Sequence, residues 1–482
     1  MIESALRTWF VLVIGLALSV AVAIRCQAQT VSDESNRAIT APANGKSANL
    51  VSLTNRSRVF KDFVLMTSPT PTPTPTPQIM GPVPGADFNT DRVKIRRYLA
   101  PWREVYCAIR LGPKYINGVI GGFDDITYQG NGLGFGFEFT TADKFSWVEL
   151  RALALGSTMA SRRGKLEAYF PHIGGERNHA NVWFNYLLST QLNFFGIGPR
   201  MPQELRTSFQ FEQRSYNGLF QRDFTGRLKA GIYAGLANAG VKNGNNERVS
   251  NINRFFSGDP AVTPITSWAP GLNMNSEIVY YGVYGQYDRR RNERGLTRGV
   301  YLYGMFGSFN GLDNGALFTD YDWLWTILDA CVYIPLGSNK TSFAARAFTS
   351  LEHPKDGSQI PFYYQSYIGG IYYVRGFQTY RFRGNNALVL TVEPRRTVWA
   401  MNADNTRGVD IHVFGDGGQV WGDNRSKTNP VVVANDDFRS ENWRFSIGGG
   451  VTYRHNKAFA IRVELGHTNE RNAVYVSLSQ GF

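Results

Sequence analysis

From about residue 113 onward, apolar and polar residues alternate in short runs separated by clusters of Gly, Asn, Asp and Pro. The runs are LGFGFEFTT (133–141), WVELRALAL (147–155), GKLEAYF (164–170), NVWFNYLL (181–188), TSFQFEQRSY (207–216) and RLKAGIYAGL (227–236). They continue as EIVYYGVYGQYD (277–288), RGVYLYGMFGSF (298–309), LWTILDACVYI (324–334) and SFAARAFTS (342–350). Period-two text with turn punctuation predicts β-strands throughout, and an all-β fold.

The last quarter alternates most cleanly. Leu388, Leu390 and Val392 share one parity, and Val389, Thr391, Glu393 and Arg395 the other. Val409, Ile411 and Val413 oppose Asp410, His412 and Asp416. Phe445, Ile447, Val451 and Tyr453 oppose Arg444, Ser446, Thr452 and Arg454. In 458–465, Phe459, Ile461, Val463 and Leu465 oppose Ala460, Arg462 and Glu464, and in 474–482 Val474, Val476, Leu478 and Phe482 oppose Tyr475, Ser477, Ser479 and Gly481.

Such strands suit either of two architectures. A soluble sandwich turns its apolar faces to a second sheet. A transmembrane barrel turns them to lipid and its polar faces to a wet lumen, while closure pairs every backbone group inside the bilayer. The strands are long, and the chain opens on an export-like segment, so the barrel is the expectation. The stretch 113–482, at about 23 residues per strand with its connection, accommodates about 16 strands.

The N-terminal part differs. Arg7 precedes the apolar run WFVLVIGLALSVAVAI (9–24), and Ala28 closes a plausible cleavage site, so 1–28 reads as a signal peptide. A membrane anchor, or a lipoprotein at Cys26, are the alternatives. Residues 29–90 are rich in Ser, Asn, Thr and Pro and include SPTPTPTPTP (68–77), an extended spacer. Within them VFKDFVLM (59–66) is the one apolar patch, a candidate docking segment. Residues 91–112 form a basic, aromatic lead-in that suits a strand or a short plug-like element. The net charge of +13 invites a nucleic-acid reading, but Lys and Arg are spread and alternate with apolar residues rather than forming a tail. No nucleic-acid partner is expected.

Enzyme signals are missing. The chain has no HExxH, GxSxG or Walker motif, its six histidines are scattered, and GNGLGFG (130–136) opens a strand rather than a helix. No catalytic residue, metal or cofactor is assigned. What remains is a charge constellation: Glu393 and Asp416 on lumen parities, and Arg375 on the preceding loop in YYVRGFQTY (372–380). Folded into a lumen, the five donors of one guanidinium would suit both carboxylates. An exposed loop cation is the plainer alternative.

Gly369-Gly370, VRGF (374–377), GNNALVLTVEPR (384–395), FGDGGQVW (414–421) and the closing YVSLSQGF (475–482), in this order, resemble the outer-membrane assembly-barrel superfamily. This bacterial surface antigen family comprises BamA-, TamA- and FhaC-like proteins. FFGIGPR (194–200) is similar to an earlier element of the family. The resemblance implies a 16-strand barrel in the outer membrane of a Gram-negative cell, with the sixth extracellular loop folded inward. Five alternating segments follow VRGF, which places that loop between strands 11 and 12. His455-Asn456 would be a tight periplasmic turn.

By resemblance, Val374, Arg375, Gly376 and Phe377 form a loop lock, with Gly376 at the tip and Phe377 in the lumen. Arg375 pairs with Asp416 and with Glu393, Phe414, Asp416 and Gly418 form the strand-13 motif, and Phe482 is the C-terminal signal read by the assembly machinery. The implied activity is assisting insertion or translocation of proteins or lipids, with clients passing the seam between first and last strands; a passive pore or structural barrel is the alternative. The implied partners are outer-membrane lipids, the assembly machinery, a client protein or separate periplasmic partner, and a second copy in a homodimer. Family members with transport roles carry POTRA domains ahead of the barrel. No βααββ pattern is legible in 29–112, so a member lacking them, with a spacer in the periplasm, is expected.

Overall fold

A computed structural model describes residues 147–157, 159–244, 249–259, 268–293, 296–312, 321–337, 340–355, 358–402, 407–422, 438–456 and 459–479, with the backbone of 63–65, 106–109 and 134–140. Within these residues sixteen strands follow one another as an antiparallel meander. They are β1 Tyr106–Ile109, β2 Gly134–Thr140, β3 Glu149–Ser157, β4 Arg162–Phe170, β5 Asn178–Phe194, β6 Thr207–Asp223, β7 Leu228–Asn243 and β8 Asn275–Asp288. The second half is β9 Leu296–Gly311, β10 Trp323–Pro335, β11 Thr341–Pro354, β12 Asn386–Ala400, β13 Gly408–Trp421, β14 Arg444–Asn456, β15 Phe459–His467 and β16 Asn472–Ser479.

Each strand pairs with its chain neighbours, from Tyr106 opposite Thr140 in β1–β2 to His467 opposite Asn472 in β15–β16. Three short strands complete a 19-stranded sheet: Phe63–Leu65, Ser250–Asn251 and Arg291–Glu293. Phe63–Leu65, within the apolar patch 59–66, runs parallel to β16 opposite Val474–Val476.

Every alternating segment quoted above overlaps one of these strands. The first strand falls inside the 91–112 lead-in, so the meander begins earlier than residue 113. β14 runs through Asn456, so its connection to β15 lies at 457–458, beyond the His455-Asn456 expected for the turn. The leader 1–28, all of the spacer except 63–65, and Phe482 lie outside the described residues.

The alternation sorts side chains by face. Outward positions are apolar and bare: Phe445, Ile447 and Val451 on β14, Ile411 and Val413 on β13, Leu390 and Val392 on β12, Leu302 and Phe306 on β9. Water would penalise such a band, whereas hydrocarbon does not. Inward positions hold aromatic and charged groups. Phe209, Phe211, Tyr280, Phe309, Trp323 and Phe348 are buried on the inner face. The fold is thus an all-β transmembrane antiparallel barrel of sixteen strands, apolar outside and polar-aromatic inside.

Candidate functional site

The connection between β11 and β12, the sixth loop on its rim, is not a surface loop. From Ser358 to Asn385 nearly every residue is buried. Its backbone turns back on itself as a two-stranded ribbon, Ser366–Ile368 against Phe382–Gly384. Aromatic side chains seat it against the inner wall. The Phe362 ring lies 4.5 Å from Phe194 and 5.1 Å from Phe209, Tyr363 5.4 Å from Phe211, and Tyr373 5.0 Å from Phe348. The loop therefore packs on the inner face of β5, β6 and β11.

At its tip the Arg375 guanidinium meets three carboxylates from three strands. Nε and Nη2 donate to Asp416 Oδ2 and Oδ1 on β13, both at 2.8 Å, and the Arg375 backbone N donates to Oδ2 at 3.0 Å. Nη1 donates to Glu393 Oε2 on β12 at 3.0 Å and to Glu464 Oε1 on β15 at 2.7 Å. The Phe414 ring lies under the guanidinium, its centroid 3.4 Å from Cζ. A planar fork with five donors can serve three carboxylates edge-on and one ring face-on together, which an ammonium cannot.

Charge balances within the cluster. Arg462 Nη2 donates to both Glu393 oxygens at 2.9 Å and to Glu464 Oε1 at 2.7 Å, and Arg395 Nε donates to Glu393 Oε1 at 2.6 Å. Three guanidiniums thus face three carboxylates, and His412 Nε2 stands 3.3 Å from Glu464 Oε1. Such a cluster persists in a buried setting only because each carboxylate is both paired and hydrogen-bonded.

Small residues make room for the loop tip. Along one row of the sheet Phe414 pairs with Gly448, and Gly448 with Gly466; in the next row His412 pairs with Gly450, and Gly450 with Glu464. A Cβ on Gly448 would come within 2.3 Å of the Phe414 ring, and one on Gly466 within 3.0 Å of the Gly376 nitrogen. The inner face of β14 is therefore bare where His412 reaches across to β15. Gly376 itself has φ +98°, and a Cβ there would meet Thr468 Cγ2 at 2.6 Å. That conformation and that space admit only glycine without strain. Gly418 serves Val374 in the same way, since its Cβ would lie 2.8 Å from Val374 Cγ2.

Further contacts hold the loop on both sides of the tip. Arg346 on β11, paired with Asp329 at 2.9 and 3.1 Å, donates from Nη1 to Tyr372 O at 2.7 Å. Arg381 donates to both Glu470 oxygens at 2.7 Å and to Met201 O at 2.8 Å, and lies over Phe195. The Gly198 nitrogen donates to Arg383 O at 2.7 Å, which joins the 194–200 element to loop 6. Tyr475 on β16 accepts from the Gly376 nitrogen at 2.7 Å through its hydroxyl.

The structure brings Val374, Arg375, Gly376, Glu393, Phe414, Asp416 and Gly418 to one place. Phe377 is buried beside Phe382, 5.4 Å between rings. Sequence reasoning did not single out Glu464, Arg462, Arg395, His412 or Tyr475. All lie on inward parities of alternating strands, so the signal was in the same pattern that drew attention to Glu393 and Asp416. Which inward charges share a level depends on strand stagger, which parity does not carry.

Residues 285–480 match the Omp85 superfamily domain. No curated protein matches the chain in sequence. Among solved structures, BamA from Haemophilus ducreyi lacking POTRA domains 1–3 is similar at TM-score 0.52 and 13% identity, over 72% of this chain and 68% of that one. CdiB from Escherichia coli aligns at TM-score 0.45 and 10% identity, and CdiB from Acinetobacter baumannii at 0.44 and 13%, each over 72% of this chain. This chain spans 58% and 56% of those two proteins. The matched stretch runs from the end of β8 through β16, and the fold is similar to that of the BamA barrel.

Proposed function

We propose, taking the Omp85 superfamily domain at 285–480 as the premise, that this protein is a non-enzymatic outer-membrane barrel that assists insertion or translocation of proteins or lipids. The observation that carries this reading is the sixth loop, buried in the lumen and held by Arg375 against carboxylates of β12, β13 and β15. A loop packed inside its own barrel suits a gated device and disfavours a wide passive pore.

In this reading Val374, Arg375, Gly376 and Phe377 are the lock, Glu393, Asp416 and Glu464 its acceptors, and Phe414 and Gly418 its seat. The lock keeps the inner wall from β11 to β16 in one arrangement. Clients then use the seam between β1 and β16, where a client strand would add at the edge that Phe63–Leu65 occupies. Phe63–Leu65 at the edge of β16 supports the view that this edge accepts a strand. The remainder of 29–90 is read as a periplasmic spacer following a signal peptide, and Phe482 as the assembly signal. Client, periplasmic partner and homodimer belong to the same proposal.

Reconstitution into liposomes tests the reading. The barrel should speed insertion of an unfolded client barrel, and single-channel records should be mostly closed with brief openings. A large steady conductance without any acceleration would identify a passive pore and overturn the proposal.

A further inference from the structure

The net charge of +13 has no role in the lumen cluster, which balances. Part of it lies in a collar on the outer face, at the rim opposite loop 6. Arg222 ends the outward stripe of β6 two positions past Phe220, and Arg289 follows Tyr287 beyond β8. Arg298 precedes Val300 on β9, Arg396 follows Val392 on β12 at the same parity, and Arg407 precedes Val409 on β13. All five are exposed.

The acids at this rim point the other way. Asp223, Asp288 and Asp410 take the inward parity, where they meet His179 and Lys229, Arg290, and Arg454 respectively; the exception is Glu293, which pairs with Leu296 on the parity of Arg298. Among the described residues from β6 to β13, the outward face of this rim thus carries five exposed arginines against one acid at the outward parity, Glu293. Aromatic and apolar groups accompany it: Phe224, Leu228 and Trp399 are exposed there. Trp399 reaches the outer face because a bulge between Thr397 and Trp399 shifts the register of β12. Arg407 Nη2 also lies 3.5 Å from the Tyr453 hydroxyl.

We propose that this collar is a binding surface for anionic phospholipid headgroups of the leaflet at the short-turn rim, which in the reading above is the periplasmic leaflet. Each cation sits where an apolar stripe facing hydrocarbon ends. Two residues of strand span about 6.6 Å, within the reach of a long Arg side chain into the headgroup layer. Aromatic rings at the same level are what an interface selects. A collar spread over the hairpins β6–β7, β8–β9 and β12–β13 fits an annulus of lipids, whereas a compact acidic protein would contact only an arc of it. The inference deepens the membrane part of the proposed function and is independent of what the barrel moves.

The full chain, reconstituted in phosphatidylcholine bilayers with spin-labelled phosphatidylglycerol or spin-labelled phosphatidylcholine, tests it. The wild type should prefer the anionic lipid about five-fold, the equivalent of one cation's attraction to an anionic surface. The preference should fall as salt is raised. Changing Arg222, Arg289, Arg298, Arg396 and Arg407 together to Gln should abolish it, changing all five to Lys should keep it, and Arg162→Gln with Lys242→Gln on the opposite rim should leave it unaltered. Heat-modifiable gel mobility reports folding of every variant, and the wild-type salt series stands even if the Gln variant does not fold. No preference in the wild type, as expected if the collar serves an acidic protein, overturns the proposal, and so does a folded Gln variant that keeps it. Neither measurement involves a client, so loss of insertion activity and loss of lipid preference are separately visible.

Discussion

Replacing Arg375 by Ala removes four side-chain hydrogen bonds to three buried carboxylates and the cation above Phe414. The losses are unequal. Glu393 keeps Arg395 and Arg462, and Glu464 keeps Arg462 and His412. Asp416 keeps only uncharged donors, the residue-375 nitrogen and Ser446 Oγ. Breaking a buried pair by deleting one partner costs about 3–5 kcal/mol, because a charge is left behind. At about 1.4 kcal/mol per factor of ten, the undocked population of the loop should rise at least 100-fold. Chymotrypsin reads this directly, since Tyr373 and Phe377 are buried when the loop is docked. With fast opening and closing, the cleavage rate tracks the open fraction. Asp416→Ala should cost less, because Arg375 retains Glu393 and Glu464. The double variant should be no worse than Arg375→Ala alone, since it removes the stranded carboxylate. Strict additivity of the two single losses, or an Arg375→Ala loop cleaved within two-fold of the wild-type rate, would refute the lock.

Other expectations follow from the same geometry. Gly376→Ala should undock the loop by about 1–3 kcal/mol, from the positive φ and the Thr468 contact together, measured by the same cleavage assay. Gly418→Ala should loosen the loop through its clash with Val374, and Val374→Ala in the same chain should restore protection; failure of that rescue removes Gly418 from the seat. Tyr475→Phe leaves the Gly376 nitrogen without its hydroxyl acceptor and should cost about 1–3 kcal/mol, seen as faster cleavage without loss of the folded barrel on heat-modifiable gels. Val413→Arg places a cation on the outer face midway along β13 and should lower stability in lipid vesicles by about 2–4 kcal/mol in a urea titration; no loss would mean that this face is not in hydrocarbon.

Strand alternation made the barrel legible, because a two-residue repeat reports facing without any knowledge of neighbours. It placed Glu393 and Asp416 inside, and counting strands backwards from the C-terminus put VRGF on the sixth loop. It was less informative before residue 147, where β1 spans four residues and β2 seven, too short for the period to stand out. Arg375 was visible through its motif. Glu464 and Arg462 were not, although their parity was known, since nothing in the sequence says that a residue 89 positions away reaches the same guanidinium.

The sequence by itself determined the class of fold, the face of each strand and the identity of the loop, because those are local properties of alternation, turns and motif order. The tertiary structure decided which inward charges meet. Pairing Phe414 with Gly448, and Gly448 with Gly466, lines up positions from three strands and leaves their inner surface bare for the loop tip. The stagger between paired strands is a property of the assembled sheet rather than of any one strand, and it sets Asp416, Glu393 and Glu464 within reach of a single side chain.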